Sequence, residues 1–352
     1  MSLDNYGWND FFARAFAELG EPALEPARVV LASGGSYRLA RETGESSGTL
    51  SGRFRHRAGG SSDYPAVGDW VAIDPVGLRI AELLPRRTQL SRKVAGRQTR
   101  EQVVAANIDV VFAAMGLDSD FNPRRLERFL ATVWESGAVP MVLLTKLDLC
   151  SEVAEREREI EDVAAGVEVI LSSALDGRGI DGLRSRLRPG ETSVLVGSSG
   201  VGKSTIINCL LGNDAQKTRE VRAGDSRGRH TTSHRELFVL PGGSLLIDNP
   251  GVREIQLFGS EESLERAFED VAVHAAECRF TDCTHRSEPS CAVLAAVAEG
   301  ALSEERLESF RSLQRELHYL HVRQDESAQR AQKQKWRAIH REMRRSGRHR
   351  RT

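Results

Sequence analysis

The 352-residue chain carries 49 Lys+Arg against 50 Asp+Glu, a formal net charge of −1, and is 40% hydrophobic and 28% charged. That composition excludes a disordered or fibrous protein, and at about 100–200 residues per domain the length predicts two or three domains. No run approaches the roughly 18 apolar residues of a membrane span, and the N-terminus lacks a basic-then-apolar leader, so a cytoplasmic protein without a membrane partner is expected.

Residues 1–27 read as one short amphipathic helix, with Trp8, Phe11, Phe12, Ala15, Phe16 and Leu19 at helical spacing and Gly20 as its stop. From Arg28 the texture changes to strand-like runs at Val29–Leu31, Tyr37–Leu39, Gly48–Phe54, Trp70–Ile73 and Leu78–Leu84, broken by glycine and Asp-Pro turns. Short strands at this spacing without a helical period predict a small β-barrel. After Arg100 strands and helices alternate. The apolar runs Ile108–Met115, Val139–Leu144, Val167–Leu171 and Ser193–Val196 are separated by helical patterns at Pro123–Ser136, Val153–Ala165 and Ile180–Leu187. Near-continuous apolar strands alternating with helices predict a mostly parallel sheet covered on both faces. Leu237–Leu240 and Ser244–Ile247 read as a hairpin, and beyond Ser260 the chain is helical around a cysteine cluster.

The near-zero charge conceals two basic segments. Arg28–Arg100 holds thirteen Lys/Arg against six Asp/Glu, and Arg330–Thr352 ten against one. On an otherwise acidic chain they suit a polyanionic partner, solvated surface plus a basic tail being the plainer alternative. Trp336 in the tail is a faint sign of base stacking.

Gly197, Ser198, Ser199, Gly200, Val201, Gly202, Lys203 and Ser204 fit G-x-x-x-x-G-K-[ST] between a predicted strand and the apolar helix that Thr205 opens. Glycines let backbone N–H groups turn onto phosphates, Lys203 neutralises the β/γ-phosphates, and Ser204 can ligate Mg²⁺. Downstream, Leu245–Ile247 ends in Asp248, Asn249, Pro250 and Gly251. A strand-end Asp suits the second Mg²⁺ carboxylate, and Gly251 offers an N–H to a γ-phosphate. Between them, Gly228–Thr232 reads either as a loop or as a switch in which Thr231 or Thr232 completes the Mg²⁺ shell. Upstream, Thr145, Lys146 and Asp148 follow one predicted strand and Ser173 and Ala174 another. A carboxylate at Asp148 can accept both N–H donors of guanine's N1/N2 edge, a pair that adenine lacks, with Lys146 over the base.

Cys278-x4-Cys283-x-His285-x5-Cys291 supplies three thiolates and an imidazole, a complete tetrahedral set for one structural Zn²⁺ with no slot left for a catalytic water. Three cysteines cannot all pair as disulfides, and five in the chain are too few for a secreted disulfide scaffold. An Fe–S cluster is the softer alternative. Cys150 and Cys209 adjoin apolar positions and read as buried small residues.

Ordinary small GTPases run P-loop, switch Thr, D-x-P-G, N-K-x-D, S-A-K; here the last two come first. That order, the Gly228-Arg-His-Thr-Thr232 switch, the segment AANIDVVFAAMGLDSDFNPRRLERFL and the cysteine pattern resemble the RsgA (YjeQ/YloQ) family of circularly permuted GTPases of small-ribosomal-subunit biogenesis. The resemblance covers the whole chain. It implies a multidomain α/β protein: N-terminal helix and OB-type RNA-binding barrel in 1–100, a permuted GTPase domain in 101–258, and a helical zinc-binding domain with basic tail in 259–352. It implies a monomer that binds the 30S subunit and its rRNA in the GTP form, acts in late maturation, and leaves after ribosome-stimulated hydrolysis to GDP. Thr145, Asn249 and Leu175 depart from the pattern's Asn, Thr and Lys, the first bearing on the support of guanine binding.

Val252 occupies the position of a water-orienting Gln in Ras-like proteins, and a hydrocarbon cannot position water. His230, with Lys203, is therefore the catalytic candidate, and His234 its rival. Two other classes stay open: a nucleotide-dependent RNA-binding scaffold with little turnover, and an ATP-dependent P-loop motor or transporter subunit, against which Asp148 argues.

Overall fold

Strands β1 (Glu25–Ser33), β2 (Ser36–Arg41), β3 (Gly44–Leu50), β4 (Trp70–Asp74) and β5 (Arg79–Leu83) close on themselves in the order β1-β2-β3-β5-β4-β1. All neighbours are antiparallel except β3 and β5. The computed structural model describes residues 2–94, 100–212, 235–248 and 260–324. Alternate residues Ala27, Val29, Leu39, Val71, Ile73 and Ile80 fill the barrel, and the short helix α2 (Gly52–Arg57) sends Phe54 into the same core. This is the predicted OB-type barrel, closed so that no strand edge is left within it.

The helix expected over 1–27 is shorter. Leu3–Tyr6 is a 3-10 turn, and α1 spans only Asp10–Glu18, started by the Asn9 side chain accepting from the Phe11 and Phe12 N–H groups. Trp8 therefore precedes the helix, yet it and Phe12 still pack on Trp70 at 4.7 and 5.7 Å between ring centroids. Phe11 is exposed.

A ribbon that the sequence did not announce follows: β6 (Gln89–Val94) and β7 (Arg100–Ala106) pair antiparallel. The α/β part then comprises β8 (Val110–Gly116), α3 (Pro123–Ser136), β9 (Val139–Thr145), α4 (Val153–Val163), β10 (Glu168–Leu171), α5 (Ile180–Ser185), β11 (Thr192–Val196), the helix α6 over 203–212, β12 (Arg235–Val239) and β13 (Leu245–Asp248). Its sheet order is β10-β9-β8-β11-β13-β12, parallel throughout except for the β12–β13 hairpin. Every residue of β8 and β11 is buried, as a sheet covered on both faces requires.

The barrel and this sheet are joined by hydrogen bonds between strands. β12 pairs antiparallel with β1, Leu31 opposite Glu236, so the two parts form one eleven-stranded sheet within a single unit. Arg28 locks the junction. Fully buried, it donates to Gly68 O at 3.1 Å, Asn107 O at 3.2 Å, Thr192 Oγ1 at 2.8 Å and Tyr6 O. Burial pulls its guanidinium down to about 10, Asp109 and Asp69 opposing the shift.

The second unit contains α7 (Glu261–Ala267), α8 (Glu269–Ala275), α9 (Ala292–Ala298) and α10 (Glu304–Gln324). Buried Arg306 organises it: bidentate to Asp270 at 2.9 and 3.0 Å, bonded to Ala267 O at 2.8 Å, and stacked over Phe268 at 4.0 Å. Among the described residues no helix is long and apolar enough to cross a membrane.

Candidate nucleotide site and metal centre

Parallel strands deliver their following loops to one edge of the sheet, and the described residues of the predicted nucleotide site emerge there. β11 leads directly into Gly197. A Cβ on Gly197 would fall 2.3 Å from Ala114 O, so only glycine allows the loop to cross β8 this closely. Gly200 and Gly202 take φ of +82° and +99°. Lys203, the first residue of α6, folds over the loop and donates to Gly197 O at 2.7 Å and Ser198 O at 2.6 Å. Ser199, Gly200, Ser204 and Thr205 are exposed at the mouth of this turn, while Val201 is buried beneath it. A turn of this kind opening a helix presents N–H groups and a positive helix end to an anion.

Thr145 ends β9 and is only 2% exposed. Its hydroxyl donates to Val201 O at 2.6 Å, with Met115 O at 3.3 Å, so one side chain spans from the end of β9 to the glycine-rich turn of 197–202. Lys146 adopts the left-handed conformation at φ +59°, and its ammonium donates to Asp118 Oδ2 at 2.6 Å. That hydrogen bond holds the Asp118 carboxyl below the usual carboxylate range. Asp148 lies in the turn Leu147–Leu149, half-buried, and accepts from Ser173 Oγ at 2.6 Å. Ser173 is fully buried behind it. Ala174 O, next in line, accepts from the Cys209 thiol at 3.6 Å. Cys150 and Cys209 are both half-buried rather than buried as expected. Asp248 ends β13 on the same edge, half-buried. Ser204 and Asp248 are hard oxygen donors suited to Mg²⁺. Thr231, Thr232, His230, His234, Gly251, Asn249 and Val252 lie outside the described residues.

Two site residues went unread in the sequence. Asp118 and Asp120 follow β8, in the same strand-end position as the recognised motifs, and they contact Lys146 and Ser198 respectively. The available signal was a pair of carboxylates between an apolar strand and the Asn122-Pro123 helix start.

In the second unit the ligand atoms of Cys278, Cys283, His285 and Cys291 all lie within 4.8 Å of one another. Cys278 and Cys291 Sγ are 3.8 Å apart, and His285 Nδ1 is 3.6 and 3.5 Å from them. A tetrahedron with Zn–S of about 2.3 Å and Zn–N of about 2.0–2.1 Å has S···S edges of about 3.8 Å and S···N edges of about 3.5 Å. The edges among Cys278, His285 and Cys291 thus match a tetrahedral ion, with Cys283 Sγ within 4.8 Å of each. Burial pushes the Cys283 thiol up to about 11 and the His285 imidazole down. Glu288 shapes the intervening loop by accepting from the Thr284, Arg286 and Ser287 N–H groups at 2.8 to 3.0 Å.

Residues 83–258 match the family model of the RsgA GTPase. The chain is 44% identical to the small ribosomal subunit biogenesis GTPase RsgA of Syntrophotalea carbinolica, with 97% of each chain covered. It is 50% identical to the protein of that name from Methanosarcina acetivorans, over 78% of this chain and 76% of the relative. Among solved structures it is similar to YjeQ from Thermotoga maritima, with a TM-score of 0.62, 25% identity, and coverage of 82% of this chain and 97% of that one. YloQ, a circularly permuted GTPase, gives a TM-score of 0.60 at 25% identity, over 84% and 95% of the two chains.

Proposed function

This chain belongs to the RsgA GTPase family, and from that membership we propose how its residues serve a GTP-hydrolysing enzyme of small ribosomal subunit biogenesis. Asp148, oriented by Ser173, accepts the N1/N2 edge of guanine, and Lys146 lies along the base. Ala174 meets the base through its backbone. The N–H groups of 197–205, Gly251 and the ammonium of Lys203 hold the phosphates and stabilise the charge that develops on them. Ser204 and Asp248, with Thr231 or Thr232, hold magnesium, which when bound neutralises charge between the β- and γ-phosphates. His230 orients or deprotonates the attacking water in place of a Gln, His234 being the other candidate.

The barrel of 1–100 and the basic tail of 330–352 engage rRNA, the GTPase domain of 101–258 times that engagement, and one structural zinc at Cys278, Cys283, His285 and Cys291 fixes the helical domain of 259–352. The protein acts as a cytoplasmic monomer that binds the small subunit with GTP and leaves after hydrolysis.

One observation carries this reading. Guanine-type and phosphate-type loops, in permuted chain order, meet at one sheet edge and are tied through Thr145 Oγ1 to Val201 O at 2.6 Å. The test is turnover of GTP and of ATP, each with and without purified small subunits. Hydrolysis confined to GTP and stimulated by subunits is the expected result. Equal turnover of both nucleotides would overturn the guanine assignment. RNA binding indifferent to the γ-phosphate, without stimulated turnover, would favour a scaffold instead.

A further inference from the structure

The loop joining β8 to α3 lies within the segment 105–130 that carries the family resemblance but in none of the nucleotide-binding motifs, and the strand order β10-β9-β8-β11 places it between the base-reading loops and the phosphate loop. Its two carboxylates reach in opposite directions along that edge. Asp118 turns toward β9: its Oδ2 accepts from Lys146 Nζ at 2.6 Å, and its Oδ1 accepts from the Asp120 N–H at 3.1 Å. Asp120 turns toward β11: one oxygen accepts from Ser198 Oγ, and the other pairs with Arg125 at 2.8 Å. The loop carrying them is fixed by its own backbone. Leu117 N–H donates to Thr145 O at 2.9 Å, Phe121 N–H to Asp118 O at 3.0 Å, and the Asn122 side chain caps α3. Gly116 leaves the space Asp118 needs, since a Cβ there would lie 2.5 Å from Asp118 Oδ1.

We propose that Asp118 and Asp120 are positioning residues for nucleotide binding, a two-carboxylate strap that sets Lys146 and Ser198 in place before the nucleotide arrives. The inference rests on the GTP-binding reading of these two loops. A free lysine carries large rotamer entropy, which is lost when its stem is ordered against a base. Tethering Nζ to Asp118 moves that loss from the binding step to folding, which raises affinity without any new contact to the ligand. The backbone of Lys146 is already confined to the left-handed region at φ +59°, so the side chain is held at both ends. An ordinary surface ion pair would contribute little to binding and would not couple to Lys146.

A double-mutant cycle on the full chain separates these cases, with GDP and GTP affinities measured for the wild type, Asp118→Ala, Lys146→Met and the double variant. The strap predicts a loss of roughly three- to tenfold for Asp118→Ala, a loss at least as large for Lys146→Met, and no further loss in the double variant. In turnover, KM should rise more than kcat falls. Asp118→Asn keeps an acceptor oxygen without the charge and should fall between; it also carries the cycle if Asp118→Ala folds poorly. Strictly additive losses, or an unchanged affinity for both Asp118 variants, would overturn the strap alone. An unchanged affinity for Lys146→Met would instead overturn the base-loop reading on which it rests.

Discussion

Replacing Thr145 with Val keeps the shape of a side chain that is 2% exposed and removes one hydroxyl, the donor to Val201 O at 2.6 Å. A net intramolecular hydrogen bond is worth about 0.5–1.5 kcal/mol, and a buried carbonyl deprived of its donor adds a desolvation penalty, so about 1–2 kcal/mol is expected. This bond joins the end of β9 to the 197–204 loop, and the proposed nucleotide binding needs both in register. The loss should therefore appear in GDP affinity, as a weakening of roughly 5- to 30-fold if it is expressed in full. Titration of a fluorescent GDP analogue measures it, alongside thermal melting of the nucleotide-free protein. Thr145→Ser is the control, because it keeps the hydroxyl and forfeits only a buried methyl group at a cost of about 1 kcal/mol. Valine should bind GDP several-fold more weakly than serine. Equal affinities for the two variants would show that the hydroxyl does not couple the loops, and that the Thr in place of Asn is supported by packing alone.

Asp148→Asn should shift preference away from GTP, since an amide replaces one of the two acceptor oxygens with an NH2 donor that faces a guanine N–H; unchanged discrimination against ATP would return 145–148 to the status of an ordinary loop. Elemental analysis should find one zinc per chain, lost in a Cys283→Ala/His285→Ala variant, and chelation should unfold the second unit, read by the loss of its helical signal. A metal-free protein with an intact second unit would remove the ligand assignment. Truncation after Gln329 removes ten Lys/Arg and one Glu, so binding to small subunits should weaken and its dependence on salt should flatten between ~50 and ~300 mM. The same affinity and slope in the truncated protein would make the tail a solvated extension.

The elements that the sequence announced are those whose apolar period is uninterrupted. Pro123–Ser136 was readable to the residue because Asn122 caps it, proline opens it, Gly137 closes it in the left-handed conformation, and Leu126, Phe129, Leu130 and Val133 share one buried face. The strand cores Val139–Leu144 and Ser193–Val196 were equally plain, being continuous apolar runs. The β6–β7 ribbon was not. Gln89-Leu-Ser-Arg-Lys-Val94 has too few apolar residues to stand out from a loop, and its buried side chains, Leu90 among them, acquire their meaning only against β7 and α3. The N-terminal helix was overextended because Trp8, Phe11 and Phe12 are apolar for different reasons: two pack on Trp70 and one is exposed.

The same division runs through the site. Residues proposed to touch a ligand answer to that ligand's fixed geometry, so Gly197–Ser204, Thr145–Asp148 and the four candidate metal ligands sit at spacings that can be read along the chain. Residues that orient them answer only to spatial neighbours, which the permuted strand order makes distant in sequence. Asp118 is 28 positions from Lys146, Asp120 is 78 from Ser198, and Arg28 is 164 from Thr192. Arg28 shows what such a residue does. Its guanidinium holds the N-terminal turn, the barrel and the first residue of the P-loop strand at once, and β1 continues that connection through β12 to the strand bearing Asp248. A displacement of the barrel therefore cannot leave both edges of the nucleotide site unmoved unless those buried hydrogen bonds break. Because an unpaired buried arginine is costly, the two parts are expected to move together.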